Sequence, residues 1–242
     1  MIKICAISDL HGTLPEITEP SEIMLIAGDI CPVWNHSRGY QKQWLEEEFV
    51  PWVNKLPIEI VFLIGGNHDF CLETYGKQSF WIDEVLRKPT NGKIVYLHHQ
   101  AYDYITNDGL TLKLFGTPYC HQFGNWAFMK QDDVLVERFK NIPEEIDILI
   151  SHDPAYCFGN TDAIIQRDGR HVGNVPLKER LLSMEKPPAI VVTGHIHSGD
   201  HNITQYKGIY CFNASILDET YSEEYVPKYF EYDIINKTVK KG

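Results

Sequence analysis

The chain has no run of lysines and arginines. Its 22 basic residues are outnumbered by 33 acidic ones over 242 positions, for a formal net charge of −11. Tight binding of a long nucleic-acid backbone needs clustered positive charge, so that partner is excluded. Any Cys-x-x-C pair is also missing. Cys5, Cys31, Cys71, Cys120, Cys157 and Cys211 stand apart, and with Cys5 and Cys211 inside apolar runs they read as free buried thiols. Met1 leads straight into Ile2-Lys3-Ile4-Cys5-Ala6-Ile7. That apolar run is too short for a signal peptide or a membrane span and has no small-residue cleavage pattern, so a soluble, cytoplasmic protein with no membrane partner is expected. No Pro/Ser/Gly-rich linker, charge block, low-complexity tract or repeat period interrupts the chain. With 43% hydrophobic and 12% aromatic residues, residues 1–242 read as a single domain with an ordinary folded interior.

What is present is a repeated grammar: a short apolar run, then residues that bind metals. Residues 58–64, rich in Ile and Val, end in Gly65-Gly66-Asn67-His68-Asp69. Two glycines let a buried strand turn closely around something, and the Asn, His and Asp offer a ligand, a proton-transfer group and a carboxylate to orient the imidazole. Residues 2–8 end in Asp9-Leu10-His11-Gly12, and 23–27 in Gly28-Asp29. Residues 146–150 lead to Ser151-His152-Asp153-Pro154, and 189–193 to Gly194-His195-Ile196-His197. Each motif alone has a plainer reading as a polar turn. Five in a row do not. In open α/β sheets the ligand crevice lies beyond the carboxyl ends of the strands, where all five groups fall.

Between these runs, 41–56 carries Trp44, Leu45, Phe49, Trp52, Val53 and Leu56 at near-helical spacing, and Pro51 predicts a break into two pieces. Short helices are predicted at 79–86, 132–140 and 176–184. Residues 94–97, 101–105 and 110–115 read as antiparallel strands, the last two joined by the Asn107-Asp108-Gly109 turn, with His98 and His99 as surface residues. Residues 203–206, 209–213 and 229–234 read as an antiparallel tail of the sheet. Three loops hold candidate substrate contacts, although surface or packing roles suit the same residues: Trp34, His36 and Arg38; Tyr119, Phe123 and Trp126; and Arg167, Arg170 and His171 within the polar stretch 156–174.

The ordered blocks Asp-x-His, Gly-Asp, Gly-Asn-His-Asp, His and Gly-His-x-His resemble those of the calcineurin-like metallophosphoesterase superfamily. Leu114-Phe115-Gly116-Thr117-Pro118, Arg170-His171-Val172-Gly173 and Asn213-Ala214-Ser215 resemble its branch of metallophosphoesterase-domain-containing proteins. The resemblance spans residues 2–233. It implies an α/β fold, a four-layer α/β/β/α sandwich of two mixed sheets. It also implies that Asp9, His11 and His197 hold one divalent metal, that Asn67, His152 and His195 hold the other, and that Asp29 bridges them. Two positions depart from the pattern: Ile30-Cys31 follows Gly28-Asp29, and Asp153 follows His152 where this branch usually has Gly.

A ligand set of imidazole, carboxylate and amide oxygen suits Mn²⁺ first, with Fe, Zn²⁺ or Ni²⁺ as alternatives. Two such ions about 3.5–4 Å apart lower the pKa of a bridging water and neutralise phosphoryl oxygens for in-line attack. His68 then assists the leaving group and Asp69 fixes its tautomer, which makes these two the candidate catalytic residues. The expected function is hydrolysis of small phosphodiesters, nucleotide-derived and cyclic ones among them. The reading from another class is a metal-bound but catalytically idle scaffold that engages a protein partner through its aromatic loops. Oligomeric state and physiological substrate have no signature in the chain.

Overall fold

The strands read as continuous apolar runs because both of their faces are covered. The computed structural model describes residues 1–164 and 167–241. Ile165, Gln166 and Gly242 lie outside the described residues, so the polar stretch 156–174 is described on either side of two positions and the expected domain 1–242 as far as residue 241. In chain order the strands are β1 (Ile2–Ile7), β2 (Ser21–Ile26), β3 (Ile58–Leu63), β4 (Ile94–Tyr96), β5 (Gln100–Ile105), β6 (Thr111–Thr117), β7 (Cys120–His121), β8 (Met129–Lys130), β9 (Ile148–Ser151), β10 (Ile190–Thr193), β11 (Thr204–Tyr206), β12 (Ile209–Asn213), β13 (Lys228–Asp233) and β14 (Thr238–Lys241). They form two six-stranded sheets, β14-β13-β1-β2-β3-β4 and β11-β12-β10-β9-β6-β5, with β7 and β8 as a separate pair.

Each large sheet has four parallel strands and antiparallel company at its margin. In the first, β1 to β4 run parallel and β13 pairs antiparallel with β1. In the second, β12, β10, β9 and β6 are parallel, with β11 and β5 antiparallel at the two edges. Alternate residues on a strand face opposite ways. Ile4, Ala6, Leu25, Phe62 and Ile64 therefore meet Leu114, Ile148, Ile150, Val192 and Phe212 between the sheets. Their neighbours Cys5, Ile7, Met24, Ile26, Val61 and Leu63, and Leu149 and Val191 of the second sheet, join the other buried cluster, which takes in the helices. Parallel strands buried on both faces lose the polar alternation of a half-exposed sheet.

The helices are α1 (Arg38–Trp44), α2 (Val50–Lys55), α3 (Phe70–Tyr75), α4 (Ser79–Ile82), α5 (Asp132–Phe139) and α6 (Val175–Ser183). Ser37 caps α1 by accepting the Tyr40 N–H at 3.4 Å, and Asn174 caps α6 by accepting that of Leu177 at 2.9 Å. The break expected at Pro51 is a change of helical register. A π-turn over Leu45–Phe49 joins α1 to α2, with the Val50 N–H reaching back to the Leu45 carbonyl. Proline has no N–H to continue the α ladder, and the wider turn absorbs the missing bond. A second π-turn, Asp83–Arg87, completes the helix expected at 79–86.

Two strand partners differ from expectation. β4 is parallel to β3 and belongs to the first sheet, so only β5 and β6 form the expected hairpin. The C-terminal tail divides: β11 and β12 stay in the second sheet, whereas β13 returns to β1. Local alternation marks a strand but says nothing about which neighbour it takes. His98 and His99, expected on the surface, are half-buried where the chain crosses from β4 to β5. His99 lies 3.0 Å from Thr117 Oγ1 and 2.9 Å from the Arg138 carbonyl. Among the described residues no helix is long and apolar enough to cross a membrane.

Phe62 is fully buried between the sheets with Tyr102 and Tyr104 edge-on at 5.3 and 5.9 Å. Truncation to alanine leaves a cavity that two packed sheets cannot close. Phe62→Ala is expected to lower stability by about 3–5 kcal/mol, read as a shift in the urea midpoint with an unchanged slope.

Candidate metal centre

At the carboxyl ends of the strands the backbone itself ties the loop after β1 to the loop after β2, and the loop after β10 to the loop after β9, before any side chain is considered. Asp9 N–H donates to the Gly28 carbonyl (3.0 Å), His11 N–H to Asp29 (2.9 Å), Gly12 N–H to Ile30 (3.0 Å) and Gly194 N–H to His152 (3.0 Å). Four predicted site residues adopt the left-handed backbone: Asp9 (φ 55°), His11 (46°), Asp29 (53°) and His195 (66°). Each costs about 1–2 kcal/mol against ordinary backbone. Such conformations persist only where the surroundings over-determine them, as at functional sites. Two glycines explain how the loops close so tightly. A Cβ on Gly66 would lie 2.3 Å from Asp29 Oδ1, and one on Gly194 would lie 1.9 Å from Ser8 Oγ.

The side chains converge as two groups sharing one cleft. The ligand atoms of Asp9, His11 and His197 lie within 4.8 Å of one another, and so do those of Asp29, His152 and His195. A third such group, His11, Asp29 and His68, connects them. His197 Nε2 is 3.4 Å from Asp9 Oδ1 and 3.2 Å from His11 Nε2. His152 Nε2 is 3.3 Å from Asp29 Oδ2 and 3.0 Å from Asn67 Oδ1. His195 and His197, two residues apart, serve different groups.

Asp9 and Asp29 are almost wholly buried. Among the described residues only histidines pair with them; no lysine or arginine does. Burial favours protonating both carboxylates, but the neighbouring imidazoles win. His197 holds Asp9, and His152 and His68 hold Asp29, below the usual carboxylate range. On the His side, burial first, helped by neighbouring histidines and opposed by the nearby aspartates, pushes His11 down to about 3 and His195 to about 4. His152 loses by burial as well, yet Asp29 beside it carries it up to about 10. His197 is likewise raised by Asp9 against the cost of burial.

This charge arrangement fits divalent cations. His152 Nδ1 faces the Ala27 carbonyl at 2.7 Å and His197 Nδ1 that of Asp218 at 2.8 Å, so both rings donate there and turn Nε2 inward. Inward nitrogens opposite carboxylate and amide oxygens need positive charge between them. Protons supply it in the metal-free cleft, and cations displace those protons on binding.

The other predicted residues divide. The cleft, about 350 Å³, is lined by Phe123, Trp126, Arg167 and Glu219 in addition to the histidines. His68 lies in it with Trp126 tilted over its ring at 4.6 Å. Asp69 does not reach that ring. Its carboxylate accepts the N–H groups of Gly66 (2.8 Å), Cys31 (2.8 Å) and Ile30 (3.3 Å), clamping the loop after β2 to the loop after β3. This corrects the expectation that Asp69 orients His68. Burial, and Asp29 nearby, raise Asp69 to about 6 while the donated N–H groups oppose the rise.

The partner at His68 Nδ1 is His36 Nε2 at 3.2 Å, a candidate substrate contact that the sequence read alone favours as a solvated loop residue. Tyr221, by contrast, was not foreseen. Its ring stands edge-on to His11 at 4.9 Å and His197 at 5.5 Å. It follows a turn with no apolar period, so no pattern announced it. Tyr119 is buried elsewhere, under Arg138 at 4.4 Å, and Trp34 packs over Gly12 on an exposed loop. Arg38 and Arg170 bind Thr74 and Asp168 away from the cleft. His171 is held by Asp162 at 2.7 Å.

Both departures from the family pattern have structural roles. Ile30 and Cys31 supply backbone donors to Asp69 and bury their side chains, with Cys31 Sγ 3.9 Å from Cys71 Sγ. Asp153 is buried and accepts from His121 Nδ1 (2.7 Å), the His121 backbone (2.8 Å) and Asn174 (2.9 Å). It thereby ties the turn after β9 to β7 and to the cap of α6.

Residues 2–199 match the family model described as calcineurin-like phosphoesterase. Among curated proteins, the chain is 27% identical over 205 residues to Probable rhamnogalacturonate lyase C of Emericella nidulans, covering 82% of this chain and 17% of that protein. It is 26% identical over 209 residues to human Metallophosphoesterase domain-containing protein 1, covering 81% of this chain and 61% of that protein. The chain thus spans less than two thirds of either relative. Among solved structures, phosphopantetheinyl hydrolase of Mycobacterium tuberculosis overlays with a TM-score of 0.48 at 14% identity, over 88% of this chain and 89% of that one.

Two measurements test the site as a cation cage clamped by Asp69. Adding Mn²⁺ to chelator-treated protein should raise the thermal midpoint, the gain being about 2.7 kcal/mol at 100 times Kd, and Asp29→Asn should remove most of it. Asp69→Asn should destabilise the fold by about 1–3 kcal/mol with or without metal, since one amide N–H then faces a backbone donor. An Asp29→Asn protein stabilised as much as the parent would refute the cage.

Proposed function

The chain belongs to the calcineurin-like phosphoesterase family, and on that premise we propose that it is a metal-dependent hydrolase of small phosphodiesters. The observation that carries the reading is the convergence of two buried carboxylates, four inward histidines and Asn67 on one cleft that also holds His68. In this reading Asp9, His11 and His197 hold one divalent ion, Asn67, His152 and His195 hold a second, and Asp29 serves both. Mn²⁺ is the favoured metal, and Fe, Zn²⁺ and Ni²⁺ suit the same donors. When bound, the ions supply positive charge for the phosphoryl oxygens and a water acidic enough to attack at neutral pH.

The chain's own residues do the rest. His68 donates a proton to the departing alkoxide, and His36 against its Nδ1 holds the ring in place. Burial lowers His68, so it takes up a proton when a bound phosphodiester adds negative charge beside it. Asp29 Oδ1 accepts the His68 backbone N–H at 2.7 Å, which couples the position of the acid to the shared ligand. Asp69 acts through the backbone and touches no substrate.

The rim supports a diester over a monoester. Of the three loop arginines singled out in the sequence, only Arg167 lines the cleft, and it is paired with Glu219 at 3.0 Å. A monoester dianion needs more cationic donors than that; a diester carries a single charge. Phe123, 56% exposed, lies 5.4 Å from the His195 ring, and Trp126 and Tyr221 flank the cleft with it. Exposed rings beside a phosphate site suit a nucleobase, so nucleotide-derived diesters, cyclic ones among them, are the proposed class. The same exposed rings are what an idle scaffold would use against a protein partner. A complete ligand set and a retained His68 are unnecessary for that role.

His68→Ala is expected to lower kcat on bis(p-nitrophenyl) phosphate by roughly 10²–10⁴-fold with bound metal unchanged by elemental analysis. Parental rates in both His68→Ala and Asp29→Asn would leave the scaffold reading standing. Catalytic efficiency on bis(p-nitrophenyl) phosphate should exceed that on p-nitrophenyl phosphate, and a clear monoester preference would overturn the diester assignment.

A further inference from the structure

Between β12 and β13 the chain turns tightly at residues 218–222, beside the ligand group of Asp9, His11 and His197. The Asp218 carbonyl accepts from His197 Nδ1 at 2.8 Å, the Asp218 carboxylate accepts the N–H groups of Thr220 (2.8 Å) and Ser222 (3.0 Å), and Tyr221 sets its ring edge-on to His11 and His197. Glu219 is therefore placed at the cleft by its neighbours on both sides. Its own side chain has two partners. Oε1 accepts from the hydroxyl of buried Ser198 at 2.9 Å, next in sequence to His197, and Oε2 faces Arg167 Nε at 3.0 Å. Both Glu219 and Arg167 line the metal cleft.

The two halves of this ion pair are not equally free. The Glu219 side chain is 22% exposed and pinned by Ser198, whereas that of Arg167 is 64% exposed and reaches in from another loop. A bound anion can draw the guanidinium away, but it cannot make the carboxylate retreat. In a cleft of about 350 Å³ an anion beside the metal ligands stays close to both groups, and at physiological salt, where the Debye length is about 8 Å, solvent ions screen such short separations little. With the pair intact this part of the rim is neutral, which suits a phosphodiester with its single charge. A monoester dianion has a second charge to satisfy, and it must meet the fixed carboxylate and win Arg167 from it.

We propose that Glu219 is the specificity determinant of the cleft, a fixed negative charge that occupies Arg167 and discriminates against doubly charged phosphoryl groups in favour of singly charged diesters. Ser198 is its positioning residue and holds the carboxylate at the rim. The inference rests on the phosphoesterase reading for its substrate class, but the discrimination is one of charge and is made on binding, before any bond breaks. Neutralising Glu219 frees Arg167 for an extra phosphoryl oxygen. Removing Arg167 leaves the carboxylate unopposed.

The test is calorimetric titration of the Mn²⁺-loaded full chain with phenylphosphonate, a dianion above its second pKa, and with diphenylphosphinate, a monoanion; neither has an ester bond to cleave. Glu219→Gln keeps an oxygen for Ser198 and removes only the charge. It should bind phenylphosphonate about tenfold more tightly than the parent and diphenylphosphinate no more than about threefold more tightly, since Coulomb energy scales with the charge on the ligand. Arg167→Ala should weaken phenylphosphonate binding about tenfold, and the double variant should return it to within about threefold of the parent, because the rim is then neutral again. Equal gains for both analogues in Glu219→Gln, no gain for the dianion, or a gain that survives the loss of Arg167 would overturn the proposal, and so would a parent that binds neither analogue. The predicted shifts in a parent that hydrolyses neither bis(p-nitrophenyl) phosphate nor p-nitrophenyl phosphate would sustain the charge filter while refuting the phosphoesterase reading.

Discussion

Two carboxylates, Asp9 and Asp29, are buried where the two sheets meet, and no lysine or arginine among the described residues pairs with them. An isolated buried carboxylate is costly, and the usual remedies are neutralisation or a paired cation. Here the paired cations are imidazoles: Asp29 raises His152 and Asp9 raises His197, so the cleft balances its carboxylates with protons that a bound cation displaces. The left-handed backbone at Asp9, His11, Asp29 and His195 and the absence of a side chain at Gly66 and Gly194 follow from crowding these groups into one cleft. A sequence that only had to fold would have no reason to keep them.

Four other aspartates are buried, and they show what ordinary structural solutions look like. Asp69 accepts three backbone N–H groups. Asp162 accepts those of Cys157 and Gly173 together with His171 Nδ1. Asp153 is tied to His121 and Asn174, and Asp147 to the Lys113 N–H, the Tyr232 hydroxyl and Lys237. Each draws its donors from segments that it holds together, although Asp153 does so through Oδ2 alone. Buried Asn213 does the same for the loop with His195 and His197: its Nδ2 reaches the Thr161, Gly194 and Ile196 carbonyls while Oδ1 accepts the Ser215 N–H. The contrast sets Asp9 and Asp29 apart as groups arranged for a ligand, with the other buried polar residues arranged to hold them.

The rim of the cleft is built differently. Phe123, Trp126 and Tyr221 lie on loops and remain substantially exposed, resting on the histidine rings beneath. Loop residues on a rigid base can vary what the site accepts without disturbing the ligands. The division is physical: a cage with every contact constrained, and a margin with few.

The five strand ends and their metal-type residues were legible in the sequence because each signal is local. An apolar run covered on both faces leaves no polar alternation, and a Gly beside Asp, Asn or His marks a turn that must close tightly. The helices at 132–140 and 176–184 and the β5–β6 hairpin were legible for the same reason. Which sheet a strand joins was not: β4 and β13 look like neighbours of β5 and β12 yet pair with β3 and β1, because pairing depends on how the chain crosses between sheets. Asp69 sits next to His68 and reads as its orienting partner, but backbone direction sends its carboxylate to Cys31 and Gly66 instead. His36 reaches His68 across 32 positions, and Tyr221 reaches His11 across the cleft. Residue type and spacing along the chain therefore determined the chemistry available to this protein, while only the packing of one sheet on the other decided which distant side chains share it, since contact across a core leaves no period in the sequence.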